Sequence, residues 1–126
     1  MIYGIGVDML QQDRIVALHA KFGDRLAERI LMPAEMAQFA KAKRPHRFLT
    51  MRFAAKEAIV KAMGTGFANG VWVRDVGVVQ NALGKPEVVY SERRDALRRK
   101  LGVGEGHVTL TDESGFIVAV AVLEKA

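Results

Sequence analysis

Apolar residues recur along the chain at two spacings, and each spacing predicts its own kind of element. Ile2 to Met9 is short, apolar and punctuated by Gly4 and Gly6, which predicts a buried strand ending at Asp8. From Gln11 to Leu31, Ile15, Leu18, Phe22, Leu26 and Ile30 recur at helical spacing, with a break expected at Gly23-Asp24. Pro33 suits the first turn of a further helix that carries Met36 and Phe39 inward. Lys41 to Arg47 is a basic connector containing Pro45. The clearest helix runs from Arg47 to Met63, a long helix near 46–63. Phe48, Met51, Ala55, Ala58, Ile59 and Ala62 share one face at about 100° per residue, while Arg52, Lys56, Glu57 and Lys61 spread over the opposite arc.

Gly64-Thr65-Gly66 ends that helix, and Gly70 follows in a loop. Beyond it the chain alternates strand and turn signals. Val71 to Val79 predicts a strand, Gly84-Lys85-Pro86 a turn, and Glu87 to Tyr90 a short strand. Ser91 is placed to cap a charged helix, with Glu92 in its first turn and Arg98, Arg99 and Lys100 in its last. His107 to Thr111 and Phe116 to Leu123 flank a turn at Asp112 to Gly115, the pattern of a hairpin. The fold class expected is α+β, a small antiparallel sheet packed with helices, in one domain over residues 1–126. Phe116 to Leu123 does not alternate, so both its faces should be buried: one by helices, the other by a second subunit.

Composition narrows the chemistry. Half of the 126 residues are apolar and 26% are charged, which fits a folded domain and not a disordered tail. There is no cysteine, which removes disulfides, thiolate metal sites and a cysteine nucleophile. His19, His46 and His107 are far apart and form no zinc-binding pair of the HExxH kind. The net charge of +5 favours an anionic partner. The longest apolar run, Phe116 to Leu123, is eight residues and too short for a bilayer, so no membrane partner is expected. Met1-Ile2-Tyr3-Gly4 lacks the basic start and cleavage site of a secretory leader, and a cytoplasmic location is expected.

Two places offer chemistry. Asp8 follows Gly6, a glycine that permits close approach of a ligand; an Asp that merely satisfies a turn is the alternative. Gly4-x-Gly6 is no dinucleotide fingerprint, because position 9 is Met. Arg52, Lys56, Glu57 and Lys61 form either a solvated helix face, with Glu57 and Lys61 paired for roughly 0.2–0.5 kcal/mol, or a charged site. Taken together, Asp8 and Glu57 are two carboxylates suited to holding Mg²⁺ against a diphosphate, with Lys61, Arg52 and Lys56 nearby to offset phosphate charge.

Gly4-Ile5-Gly6-Val7-Asp8, the run from Arg52-Phe53-Ala54-Ala55-Lys56-Glu57 through Lys61 to Gly64-Thr65-Gly66, and Gly84-Lys85-Pro86 closely resemble the holo-[acyl-carrier-protein] synthase family of small 4′-phosphopantetheinyl transferases. The resemblance spans nearly the whole chain. It implies transfer of the 4′-phosphopantetheine arm of coenzyme A to a serine of apo acyl carrier protein, releasing adenosine 3′,5′-bisphosphate, with Mg²⁺, in fatty acid biosynthesis. By the same resemblance the magnesium ligands fall on Asp8 and Glu57, and the helix lysine on Lys61. The adenine-side turn falls on Gly84, Lys85 and Pro86. Arg52 and Lys56, with Gly64, Thr65 and Gly66 (or these three simply as a helix C-cap), are the further candidates for holding coenzyme A, and His107 is another or else a strand-edge histidine bonded to backbone. A homotrimer with sites between subunits is also implied. Where the family often carries a histidine late in the chain, this sequence has Thr111-Asp112-Glu113, so that role does not transfer.

Arg14, Leu18, Lys21 and Arg25 recur at helical spacing, either as an ordinary solvated face or as a row that docks an acidic carrier protein. A basic nucleic-acid module is the rival reading, and the few aromatic residues offer it no stacking platform. A non-catalytic coenzyme A binder is the third; Asp8 with Glu57 argues against it.

Overall fold

In the computed structural model, which describes residues 1–68 and 70–126, the chain runs β1 (Ile2–Gln11), α1 (Gln12–Phe22), α2 (Arg25–Ile30), α3 (Pro33–Phe39) and α4 (Pro45–Met63). A 3₁₀ turn (Val73–Asp75), β2 (Val76–Gln80), β3 (Pro86–Tyr90), α5 (Glu92–Leu101), β4 (Val103–Glu113) and β5 (Phe116–Lys125) follow. The strands make one antiparallel sheet in the order β1-β5-β4-β3-β2. The α+β expectation holds, with the long helix beginning at Pro45, where a missing N–H costs a helix nothing. The break between α1 and α2 falls at Gly23, as its composition predicts.

Several details differ from expectation: β3 starts at Pro86, β4 already at Val103, and β5 runs on to Lys125. The strand assigned to Val71–Val79 begins only at Val76, because the Asp75 carboxylate accepts the Trp72 N–H at 2.8 Å and curls the preceding residues into the 3₁₀ turn. Burial pushes that carboxyl up, but bonds from Arg93, Trp72 and Ser91 outweigh it and hold Asp75 below the usual carboxylate range. Ser91 stands at the start of α5 without capping it: its hydroxyl donates to Asp75 Oδ1 at 2.9 Å. The hairpin turn shrinks to Ser114-Gly115, both with positive φ, so β4 and β5 pair through Asp112 and Glu113. β1 runs past Asp8 to Gln11.

Helix α4 lies across β1 and β5, and Ala54, Ala55, Ala58, Ile59 and Ala62 are fully enclosed there with Ile117, Ala119, Ala121 and Leu123 of β5. Each large aliphatic side chain in this layer contributes roughly 1.5–3 kcal/mol. The buried arc of α4 is wider than its apolar stripe, because α1 to α3 and β2 cover the other side. Thr50, Arg52 and Lys56 are enclosed there, which corrects the placement of Arg52 and Lys56 on a solvated arc. The outer row of β5, Val118, Val120 and Val122, is half-buried and stands beside Met9, Val7 and Ile5, all more than half exposed. Within one protomer the second face of β5 is therefore open. Among the described residues, no helix is long and apolar enough to cross a membrane.

The two glycines of β1 have a packing purpose. A Cβ on Gly4 would lie 2.0 Å from the Ala62 carbonyl oxygen, and one on Gly6 2.0 Å from that of Ala58. The expected ligand beside Gly6 is thus the backbone of α4 itself. Gly6→Ala should destabilise the protein by at least about 1–3 kcal/mol, since the clash is with backbone that cannot rotate away. Urea denaturation checks this; an unchanged midpoint would mean that β1 and α4 do not meet as described.

Candidate active site

Side chains alternate across a strand, so Gly4, Gly6, Asp8 and Leu10 point towards α4 while Ile5, Val7 and Met9 point away. Asp8 lies inside the strand, opposite Ala119, and satisfies no turn. Because the glycines seat α4 directly on β1, Asp8 arrives beside Glu57 and Lys61, one helical turn apart. Lys61 Nζ donates to Asp8 Oδ1 at 3.2 Å and to the Val7 carbonyl at 3.0 Å. The Asp8 carboxylate is only 11% exposed, whereas Lys61 is half exposed and keeps its ammonium at the mouth of the site.

Burial pushes the Glu57 carboxyl above the usual carboxylate range. The charge of Asp8 and a hydrogen bond between the two carboxyls add to this, while Lys61 and Arg14 oppose it. Two carboxylates crowded in this way present hard oxygen donors whose mutual repulsion a divalent cation relieves, so the donor set fits Mg²⁺ or Mn²⁺. Acid reverses that fit: the higher Glu57 lies, the sooner falling pH protonates it and removes a donor.

Arg52 is five residues before Glu57, which on a helix is about 140° away. It does not join Asp8, Glu57 and Lys61. Its guanidinium stacks on Phe48 at 4.4 Å and lines two adjoining cavities. The first, about 290 Å³, is bounded by Lys43, Arg44 and Arg47; the second, about 200 Å³, by Gly84, Pro86 and Thr109. Arg52 and the predicted Gly84-Lys85-Pro86 turn are therefore brought together. Arg47 is occupied by Asp112, with bonds of 2.7 and 3.2 Å, which hold the Asp112 carboxyl below its usual range and fasten the end of β4 to the start of α4.

The remaining candidates separate. Lys56 is fully enclosed, bonded to Glu35 and to the Val76 carbonyl, and has no surface to offer a ligand in this protomer. Gly64 closes α4 in the left-handed conformation just past Lys61, and the Thr65 hydroxyl donates to the Gly66 carbonyl at 2.9 Å. His107, paired in register with Val122, lies on the sheet face opposite Asp8. It bonds Glu124 at 2.9 Å and borders a small hollow with Lys85 and Pro86. Arg14, Leu18 and Lys21 are exposed on α1 together with Val16 and Phe22, but Arg25 belongs to α2, beyond the Gly23 break. Glu35, the hub of the buried charges, escaped sequence reasoning. Its only signal was an acid in the first turn of a helix opened by Pro33, which any solvated helix shows.

Residues 4–121 match the model of the 4′-phosphopantetheinyl transferase superfamily. The chain is 44% identical over 125 residues, 99% of it and 100% of the relative, to a holo-[acyl-carrier-protein] synthase of Neisseria meningitidis serogroup A. A crystal structure of holo-[acyl-carrier-protein] synthase from Neisseria meningitidis superposes with a TM-score of 0.94 at 42% identity, covering 99% of this chain and 100% of that one. One from Bacillus anthracis, in complex with CoA (3′,5′-ADP), gives 0.81 at 34% identity over 100% and 99%. Sequence and architecture agree from end to end: the chain belongs to the 4′-phosphopantetheinyl transferase superfamily, within its holo-[acyl-carrier-protein] synthases.

Proposed function

We propose that this enzyme transfers the 4′-phosphopantetheine arm of coenzyme A to a serine of apo acyl carrier protein, releases adenosine 3′,5′-bisphosphate, and so serves fatty acid biosynthesis. The observation that carries the reading is the meeting of Asp8, Glu57 and Lys61 across the β1–α4 contact. The serine Oγ–P bond forms as the bond from that phosphorus to the bridging diphosphate oxygen breaks. Magnesium, held by the carboxylates of Asp8 and Glu57, would supply electrostatic stabilisation of the diphosphate. Lys61 offsets the charge that builds on the departing nucleotide. Glu57, acting through a water, is our first choice to accept the serine proton, and the substrate itself our second.

The cavities beside Arg52 suit the phosphorylated nucleotide end of coenzyme A, with Gly84 and Pro86 in their wall and Lys85, Pro86 and His107 around a separate hollow at the same turn. That end and the carboxylate pair lie on different sides of α4, so one complete site needs a neighbouring copy. The open apolar face of Ile5, Val7, Met9 and Val120 suits that contact, and we propose a homotrimer with sites between subunits. On α1 and α2, Arg14, Lys21 and Arg25 around Leu18 make a basic rim with an apolar centre, suited to an acidic carrier protein.

Mass spectrometry of an apo carrier protein incubated with the enzyme, coenzyme A and magnesium should show the gain of one phosphopantetheine arm. Glu57→Gln, folded as the parent, should lose at least about a hundredfold in rate; full activity in that variant would refute the assignment. Val7→Asp should convert the trimer to monomer in sedimentation velocity, and a parent that is monomeric at every concentration would contradict the assembly. Lys21→Glu with Arg25→Glu, chosen because Arg14 also acts on Glu57, should raise KM for the carrier protein roughly tenfold and leave that for coenzyme A alone. The opposite pattern would remove this surface from carrier docking.

A further inference from the structure

Three charged side chains are enclosed between α3, α4 and β2: Glu35 and Lys56 at 0% exposure and Arg52 at 3%. Glu35 is saturated. Its Oε1 accepts from Lys56 Nζ and from the Met32 N–H at 2.9 Å, and its Oε2 from the Val78 N–H at 2.9 Å. Lys56 is held by Glu35 and by the Val76 carbonyl at 2.6 Å. Arg52 is the exception. Its Nε lies 4.0 Å from Glu35 Oε2 and has no hydrogen-bond partner. Among the described residues its one hydrogen bond is from Nη2 to Gln38 Oε1, at 3.4 Å.

A guanidinium carries five donors in a fixed fork. Among the described residues Arg52 uses that fork sparingly, with its buried Nε unpaired, while it sits in the wall of a cavity lined also by Lys43, Arg44 and Arg47. Lys56, buried behind it, repels it. The one carboxylate within reach is Glu35, and Gln38 is itself anchored, donating to the Gln80 carbonyl at 3.1 Å and accepting the Gln80 N–H at 3.2 Å. The protein thus holds a sparsely bonded guanidinium in the wall of a cavity lined by other cations.

We propose that Glu35, with Gln38, is a positioning residue that presses the Arg52 guanidinium against the cavity wall, ready for a phosphate oxygen of the nucleotide substrate. This rests on the proposed function, since it takes the cavity beside Arg52 as the seat of that nucleotide. Glu35 never touches the substrate; it acts through Arg52. Lys56, buried on the other side of the carboxylate, fastens Glu35 to α4. The same carboxylate requires Gly77, because a Cβ there would come within 2.9 Å of the Glu35 carboxyl carbon and 2.6 Å of Met32 Sδ.

The test is calorimetric binding of adenosine 3′,5′-bisphosphate in a double-mutant cycle. Glu35→Gln is combined with Lys56→Met so that no lone charge is left inside, and Gln38→Ala serves as a milder variant that leaves the ion pair intact. Each is made with Arg52 present and with Arg52→Met. Nucleotide affinity should fall roughly tenfold in the first and two- to threefold in the second, as loss of an aligned charged hydrogen bond implies. Magnesium affinity and kcat should stay near the parent values while KM for coenzyme A rises. In the Arg52→Met background both effects should vanish. Affinity losses that persist undiminished without Arg52, or folded variants that bind as the parent does, would overturn the positioning role alone. A parent that does not bind the nucleotide would instead remove the cavity from the proposed function, and this role with it.

Discussion

The contact on which this molecule turns is between two backbones. Gly4 and Gly6 let β1 lie against the carbonyls of Ala62 and Ala58 with no side chain between them. Strand and helix are then so near that short and long acidic side chains, Asp8 and Glu57, meet without either leaving its element. Were the helix seated on larger residues and so lifted off the strand, the Asp8 carboxylate would be stranded beneath it. Small residues surrender apolar area at the contact. Ile59, Ile117 and Leu123, enclosed on either side, offset that loss.

The same helix is enclosed on its other side by charge. Bringing Glu35 and Lys56 out of water costs several kcal/mol per ion, and their attraction repays it only with complete hydrogen bonding. Completeness is what the surroundings supply: three backbone groups, at Met32, Val76 and Val78, meet the pair directly. Two of these come from the strand that flanks Gly77, so the ion pair also fixes α3, α4 and β2 in mutual register. An apolar pair of similar volume would fill the space but leave those backbone groups without partners.

Much of this was legible in the sequence, and what was not has identifiable causes. The α4 stripe, the Gly23 break and the hairpin followed from periodicity and turn residues, and the pairing of Asp8 with Glu57 from their chemistry together with the resemblance. Periodicity placed Arg52 and Lys56 outside because it assumes a helix with one buried side, and α4 has two. The Val71–Val79 strand was overlong because the Asp75 bond to Trp72 N–H, which curls those residues, depends on arginines about twenty residues later. Glu35 was invisible for a similar reason. Its partners lie in other elements, and nothing local distinguishes a buried acid in a first turn from an exposed one. Gly6 was seen correctly as a place of close approach, but the approaching group is the helix.

Strand alternation links catalysis to assembly. Along β1, residues facing the helix include Asp8, and those facing outward are Ile5, Val7 and Met9. A slip of one residue would turn Asp8 outward among valines and drive Val7 into the space kept by glycine. The register with β5, Val7 opposite Val120 and Asp8 opposite Ala119, therefore sets the carboxylate and the apolar outer face in one stroke. On our reading, that outer face brings up the neighbouring copy whose basic cavity completes the site. Any change that disturbs β1 should then disturb metal binding and association together, because a single two-residue period governs both.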